Sequence, residues 1–250
     1  MERPTALVTG AAQGLGLAIS ARLLEDGFSV VMGDVNEPAV TEAATRLGAA
    51  SAPMDVTDDA SVTSAMGLLG DRPLDVLVNN AGIISRQPAG EFDSAQWERE
   101  MAVNLGGTMR CSRAAYSRLR MSSRASVVNL ASVGSTFGLP QRLGYSTAKS
   151  GILGLTRTLA CEWGPDGIRV NAVAPGYIET PMMLSGFDTG ALDRSRLLDR
   201  TPLGRFGTAD EVAAAVSFLA SGDASFVTGT VLKVDGGITV DGSFHARPMP

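Results

Sequence analysis

Short runs of continuous apolar residues alternate with longer amphipathic segments along the whole chain, and this pattern constrains the fold more than any other feature. The runs fall at 6–8, 29–32, 74–78, 126–130, 170–173 and 231–234. A strand with one wet face alternates apolar and polar residues, whereas an uninterrupted apolar run suits a strand covered on both faces. Helical patterns lie between them, at about 14–26, 38–47, 58–70, 94–120, 145–163 and 208–220. Strand, helix, strand, repeated in this way, predicts an α/β fold: a doubly wound, Rossmann-type parallel sheet of about seven strands with helices on both faces. With 250 residues, 44% of them hydrophobic, the chain is expected to form one domain over 1–250. The longest stretch without periodicity, about 177–207, reads as a flexible substrate loop, and about 240–250 as a C-terminal tail.

Charge and rare residues exclude several chemistries. A net charge of −5 supplies no basic field for nucleic acid or anionic lipid. Two cysteines, Cys111 and Cys161, make no disulfide framework or metal-ligand spacing, and both read as packed thiols. The single histidine, His245, lies in the tail, which argues against a bound metal and against a Ser-His-Asp triad. No apolar stretch approaches the roughly 20 residues of a membrane span, and the first residues lack a signal peptide's charged and apolar regions. The expected setting is cytoplasmic, with a small molecule as substrate.

The first apolar run leads into Thr9-Gly10-Ala11-Ala12-Gln13-Gly14-Leu15-Gly16, and a helix follows. Glycines there let the backbone turn tightly and approach a pyrophosphate, which rests at the positive end of the helix. Glycines between a strand and a helix can also simply relieve crowding. The second run ends at Asp34, 18 residues beyond Gly16. A carboxylate at that strand tip accepts hydrogen bonds from adenosine ribose hydroxyls and repels a 2′-phosphate. Neither Gln13, Val35 nor Asn36 adds positive charge, so the preferred cofactor is NAD over NADP.

Tyr145 and Lys149 stand at i and i+4, on one face of a helix. A phenol titrates near pH 10 in model peptides, so it is a poor base at neutral pH unless a neighbouring cation stabilises its phenolate. Ser132, 13 residues earlier, lies at the C-terminal end of the 126–130 run, where doubly wound sheets place ligands.

With these landmarks in order, the chain resembles the short-chain dehydrogenase/reductase family in its roughly 250-residue form. The resemblance implies a proton-relay tetrad of Asn104, Ser132, Tyr145 and Lys149. It implies cofactor contacts from Gly10, Gln13, Gly14, Leu15 and Gly16 of the turn, and from Asp34. Asp55 and Val56 would lie at the adenine, and Asn80, Ala81 and Gly82 follow the fourth strand. Tyr145 and Lys149 would also touch the cofactor, with Pro175, Gly176, Ile178 and Thr180 seating the nicotinamide. Substrate contacts are expected from Arg86, Ser132, Gly134, Arg142, Tyr145 and Met182. A guanidinium from Arg86 or Arg142 could grip a carboxylate, though a loop arginine is often merely solvated. The resemblance further implies a homo-oligomer, a tetramer or a dimer, pairing the helices at 94–120 and 145–163. The expected activity is NAD-dependent interconversion of a secondary alcohol and a ketone, on a sugar, polyol or hydroxy acid. Two alternatives stand beside it: a 3-oxoacyl thioester reductase, and a non-catalytic NAD-sensing protein.

Overall fold

A computed structural model of the protein describes residues 3–242. The expectations for His245 and the end of the tail lie outside the described residues. Seven parallel strands form one sheet: β1 (Thr5–Thr9), β2 (Ser29–Asp34), β3 (Ala50–Pro53), β4 (Val76–Asn79), β5 (Ser126–Leu130), β6 (Arg169–Pro175) and β7 (Val231–Val234), in the order β3-β2-β1-β4-β5-β6-β7. Six of the seven follow from the apolar runs. The seventh, β3, is an edge strand reading Ala-Ser-Ala-Pro, too short and too weakly apolar to leave a periodicity. Its proline is tolerated because an edge strand can spare one donor.

Residues alternate between two cores. Ala6 and Val8 of β1 join one cluster with Val30, Met32, Val76 and Val78, while Leu7 joins another with Val31, Leu77 and Val127. The first is covered by α1 (Gly14–Glu25), α2 (Glu37–Leu47) and α9 (Ala209–Ala220), through Ile19, Leu23, Val40, Val212 and Val216. The second is covered by α3 (Asp59–Gly67) and the helix carrying Cys111, Ala115 and Leu119. Every residue of β1 is buried, which is why its apolar run is continuous. Leu7 and Leu77 are fully buried, and truncating either to alanine would cost about 2–5 kcal/mol.

The predicted helix at 94–120 is not uniform. It is α4 (Ser94–Met101), a π-helical turn over Ala102–Gly107, and α5 (Thr108–Leu119). Hydrophobic periodicity is too coarse to register the one extra residue per turn that a π segment inserts. The longest helix, α6 (Leu143–Trp163), packs on β5 and β6. The 177–207 segment holds α7 (Pro181–Asp188) and α8 (Arg194–Asp199), capped by the side chains of Thr180 and Asp193. Each helix is about two turns or fewer, so neither leaves a clear sequence period. They fold over a separate apolar cluster of Met183, Leu197 and Phe206. Cys111 is buried, and burial pushes its thiol up to about 12. Cys161 is exposed on α6, correcting the expectation of a packed thiol: its position points away from the sheet.

Candidate active site

A cavity of about 630 Å³ opens where the winding of the sheet reverses. β1 and β4 are neighbours, but the chain moves outward from β1 to β2 and from β4 to β5. Such a reversal leaves a crevice beyond the carboxyl ends of the strands. Nearly every residue singled out in the sequence lines this one cavity. Gly16, Asn104 and Gly134 contribute no surface to it and act through their neighbours.

One end is built from backbone. Gly10 and Gly14 have φ of +64° and +56°, in the left-handed region that favours glycine. A Cβ on Gly10 would lie 2.7 Å from Cα of Ala81, and one on Gly16 would collide with the carbonyl of Gly10. Close contact of α1 with the end of β1 therefore needs Gly16 bare, and close contact of the same turn with the segment after β4 needs Gly10 bare. Asn80 Nδ2 donates to the carbonyls of Thr9 and Gly10 at 2.9 Å, and Thr9 Oγ1 accepts from the N–H groups of Asn80 and Ala81 at 3.0 Å. No side chain caps the start of α1, and its first turn has no acidic residue. Those free N–H groups and the helix dipole fit a pyrophosphate.

Asp34 is aimed by two further backbone bonds. Its Oδ2 accepts from Ala12 N and its Oδ1 from Asn36 N, both at 3.0 Å. Asp55 Oδ1 accepts from the N–H and hydroxyl of Thr57 at 2.8 and 2.7 Å, and Asp55 and Val56 face the same end. The residues present fit an adenosine-pyrophosphate group.

The other end carries the titratable groups. Ser132 follows β5, and its Oγ accepts from Gly134 N at 3.1 Å, so Gly134 fixes the serine hydroxyl. Burial pushes the Tyr145 phenol up, the Ser132 hydroxyl pulls it back by hydrogen bonding, and the Glu100 carboxylate adds to the upward push. Lys149, one turn along α6, is buried, and burial lowers its ammonium to about 8. Its Nζ donates to the carbonyl of Leu130 at 2.6 Å and lies 5.9 Å from the centre of the Tyr145 ring.

Asn104 sits within the π turn. Its Oδ1 accepts from Ile83 N at 2.8 Å and its Nδ2 donates to Ile83 O at 2.9 Å, which ties the loop after β4 to the helix. A Cβ on Gly82 would fall 2.9 Å from Asn104 Oδ1 and 3.7 Å from Lys149 Nζ, so the bare glycine keeps that path between them open. Pro175, Gly176, Ile178 and Thr180 line the cavity beyond β6.

Sequence reasoning missed Met54, Arg99 and Glu100. Met54 and Arg99 line the cavity, and Glu100 is fully buried with Oε1 accepting from Ser85 N. The available signal was a carboxylate four residues before Asn104 on an inward-facing helix. Among the described residues no cluster of three acidic, histidine or cysteine side chains could hold a metal ion. Among them, too, no helix is long and apolar enough to cross a membrane.

Comparison with known proteins places the chain in a family of oxidoreductases. A family model described as enoyl-(acyl carrier protein) reductase matches residues 10–239. The chain is 41% identical to a cis-4-hydroxycyclohexanecarboxylate dehydrogenase of Sinomonas cyclohexanicum, covering 94% of this chain and 96% of that one. It is 42% identical to an L-tagatose-forming galactitol 2-dehydrogenase of Cereibacter sphaeroides, covering 94% of each. A crystal structure of a protein described as a putative 2-deoxy-D-gluconate 3-dehydrogenase from Agrobacterium tumefaciens, with NADP bound, is 37% identical. It superposes with a TM-score of 0.86 over 96% of this chain and 98% of that one. The chain belongs to the short-chain dehydrogenase/reductase family and is an oxidoreductase that interconverts secondary alcohols and ketones.

Proposed function

We propose that the enzyme uses NAD, and that Tyr145 is its acid–base group. The observation carrying this reading is the convergence of Tyr145, Ser132 and Lys149 on one cavity whose opposite end presents Asp34. When bound, the nicotinamide supplies the hydride acceptor or donor at the carbinol carbon. In the oxidative direction Tyr145 Oη takes the hydroxyl proton of the substrate. Ser132 Oγ donates to the substrate oxygen, a contact that strengthens as charge develops there. Lys149 would hold the nicotinamide ribose and favour the phenolate. Burial alone disfavours both charged forms, raising the tyrosine and lowering the lysine; placing the two in one pocket offsets part of that penalty. Asn104 keeps the loop after β4 in place and anchors the water through which Lys149 exchanges protons with solvent.

Asp34 decides the cofactor. Its carboxylate is held at the tip of β2 by Ala12 and Asn36, where it would accept ribose hydroxyl hydrogens and repel a 2′-phosphate. Sugars, polyols and hydroxy acids are the substrate classes this reading favours, in line with the dehydrogenase names of the relatives. We further infer a cytoplasmic homo-oligomer, a tetramer or a dimer built on the helical stretch from α4 to α5 and on α6; light scattering on the purified protein tests its size.

Titrating the protein with NADH and NADPH, followed by nicotinamide fluorescence, tests the cofactor. NADH is expected to bind at least tenfold tighter, about 1.4 kcal/mol; equal or tighter NADPH binding would overturn the assignment. Tyr145→Phe tests the chemistry. It should leave NADH affinity within about twofold and reduce kcat by about 10²–10⁴, and retained turnover would sink the role of Tyr145.

A further inference from the structure

The end of the cavity beside Tyr145 carries two guanidinium groups that pair with no carboxylate among the described residues. Arg142 lies at the N-terminus of α6, three residues before Tyr145, and is only 7% exposed. Among the described residues its side chain hydrogen-bonds only through Nη1, which donates to the carbonyl of Pro140 at 2.9 Å. Arg86 stands on the loop after β4. Its Nη2 donates to the carbonyl of Met182 at 2.9 Å, while its Nε is buried without a partner among the described residues. The two loops are joined next to these residues, where Gln87 N donates to Gln141 O at 3.1 Å. Both arginines line the cavity together with Ser132, Tyr145 and Met182.

A solvated loop arginine does not look like this. Six ion pairs join arginines to carboxylates among the described residues, and neither Arg86 nor Arg142 takes part in any of them. Burial and the nearby Arg86 both press the Arg142 guanidinium below its usual range. A buried charge facing a like charge is costly unless an opposite charge arrives. Guanidinium offers five N–H donors in a planar fork that matches a carboxylate in pairs, and most of those donors here point to no protein acceptor. The backbone before Arg142 adds to the case: Gln141 has φ +63°, a conformation costing a non-glycine residue about 1–3 kcal/mol.

We propose that Arg86 and Arg142 form an anion subsite for the substrate, so that the alcohol oxidised here is a hydroxy acid whose carboxylate is gripped by the two guanidiniums while its carbinol lies at Tyr145. This inference rests on the dehydrogenase reading above and narrows it from alcohols in general to acids.

The test uses the complex of the protein with NADH and two probes that cannot react, cyclohexanecarboxylate and cyclohexanecarboxamide, each titrated by its effect on the bound nicotinamide's fluorescence. The carboxylate should bind at least tenfold tighter than the amide. Arg86→Gln and Arg142→Gln should each remove most of that preference with NADH affinity unchanged, and Arg142→Lys should restore part of it. Equal binding of acid and amide, or no binding of the acid, overturns the subsite, and that comparison needs no variant. So does a preference that survives in both glutamine variants. A kinetic arm separates this inference from the reading beneath it. With 4-hydroxycyclohexanecarboxylate and its amide as substrates, the subsite predicts a kcat/KM ratio of ten or more, carried by KM. Efficient turnover of the amide and neutral polyols without that ratio refutes the anion subsite alone. No turnover of any alcohol with either cofactor refutes the dehydrogenase reading, whatever the probes bind.

Discussion

The two ends of the cavity are built on opposite principles. At the adenosine end the polar groups are already satisfied: Asp34 by Ala12 and Asn36, Asn80 by Thr9 and Gly10, Asp55 by Thr57. At the substrate end they are not. Buried polar atoms of Ser85, Arg86, Gln87, Glu100 and Ser146 lack partners among the described residues, and Asn79 is the one such residue elsewhere. Most buried polar groups in folded proteins are paired, so this end is the less satisfied of the two, and of the five residues Arg86 is the one that lines the cavity itself. On the proposed reading, the unchanging cofactor is met by fixed backbone geometry and the substrate by side chains left open.

The largest expected effect comes from disturbing the satisfied end. A Cβ at Gly16 collides with the Gly10 carbonyl and would lie 2.6 Å from Asn80 Nδ2. Gly16→Val should therefore push α1 away from β1 and weaken NADH binding by at least 100-fold, about 2.7 kcal/mol. Fluorescence titration measures the loss, and circular dichroism confirms that the sheet persists. Arg142→Gln, at the other end, should leave that affinity alone. If the two variants weakened NADH equally, the division between the ends would fail.

A smaller effect follows from Asp34. Asp34→Asn keeps an acceptor for the backbone but removes the charge that repels a 2′-phosphate. The NADH-over-NADPH preference should fall about tenfold, close to 1.4 kcal/mol, with the melting temperature little changed. An unaltered ratio would mean that the carboxylate does not read the ribose.

This contrast also explains what was legible in the sequence. The glycine turn, Asp34 and the Tyr145–Lys149 pair are local: their spacing along the chain is fixed by a strand end or one helical turn, so the motif carries the geometry. Ser132 was legible for the same reason, at the end of a run of five buried residues. What escaped was short or long-range. β3 has four residues, α8 has six, and the π turn differs from an α-helix by one residue per turn. The meeting of Arg86 with Arg142 depends on two loops 56 positions apart being joined at Gln87 and Gln141, which no spacing rule encodes. Glu100 escaped because a glutamate in an amphipathic helix reads as surface, and only the fold turns it inward.

Glu100 offers the finest probe of the substrate end. Its carboxylate is fully buried, takes a hydrogen bond from Ser85 N, and raises the Tyr145 phenol beyond what burial does. In the proposed mechanism oxidation needs the phenolate, so turnover should rise with pH as Tyr145 loses its proton. Removing a negative charge that opposes the phenolate lowers the tyrosine's titration point. Glu100→Gln keeps the oxygen that accepts from Ser85 and removes only the charge, so the rising limb of kcat against pH should move toward lower pH, with NADH affinity unchanged. A limb that stays fixed would show that Glu100 acts on the Ser85 loop alone. A limb that moves toward higher pH would mean that the Glu100 side chain, packed so closely on Gly144 of α6 that a Cβ there would meet its Cβ at 3.2 Å, supports the geometry of Tyr145 more than its charge opposes the phenolate.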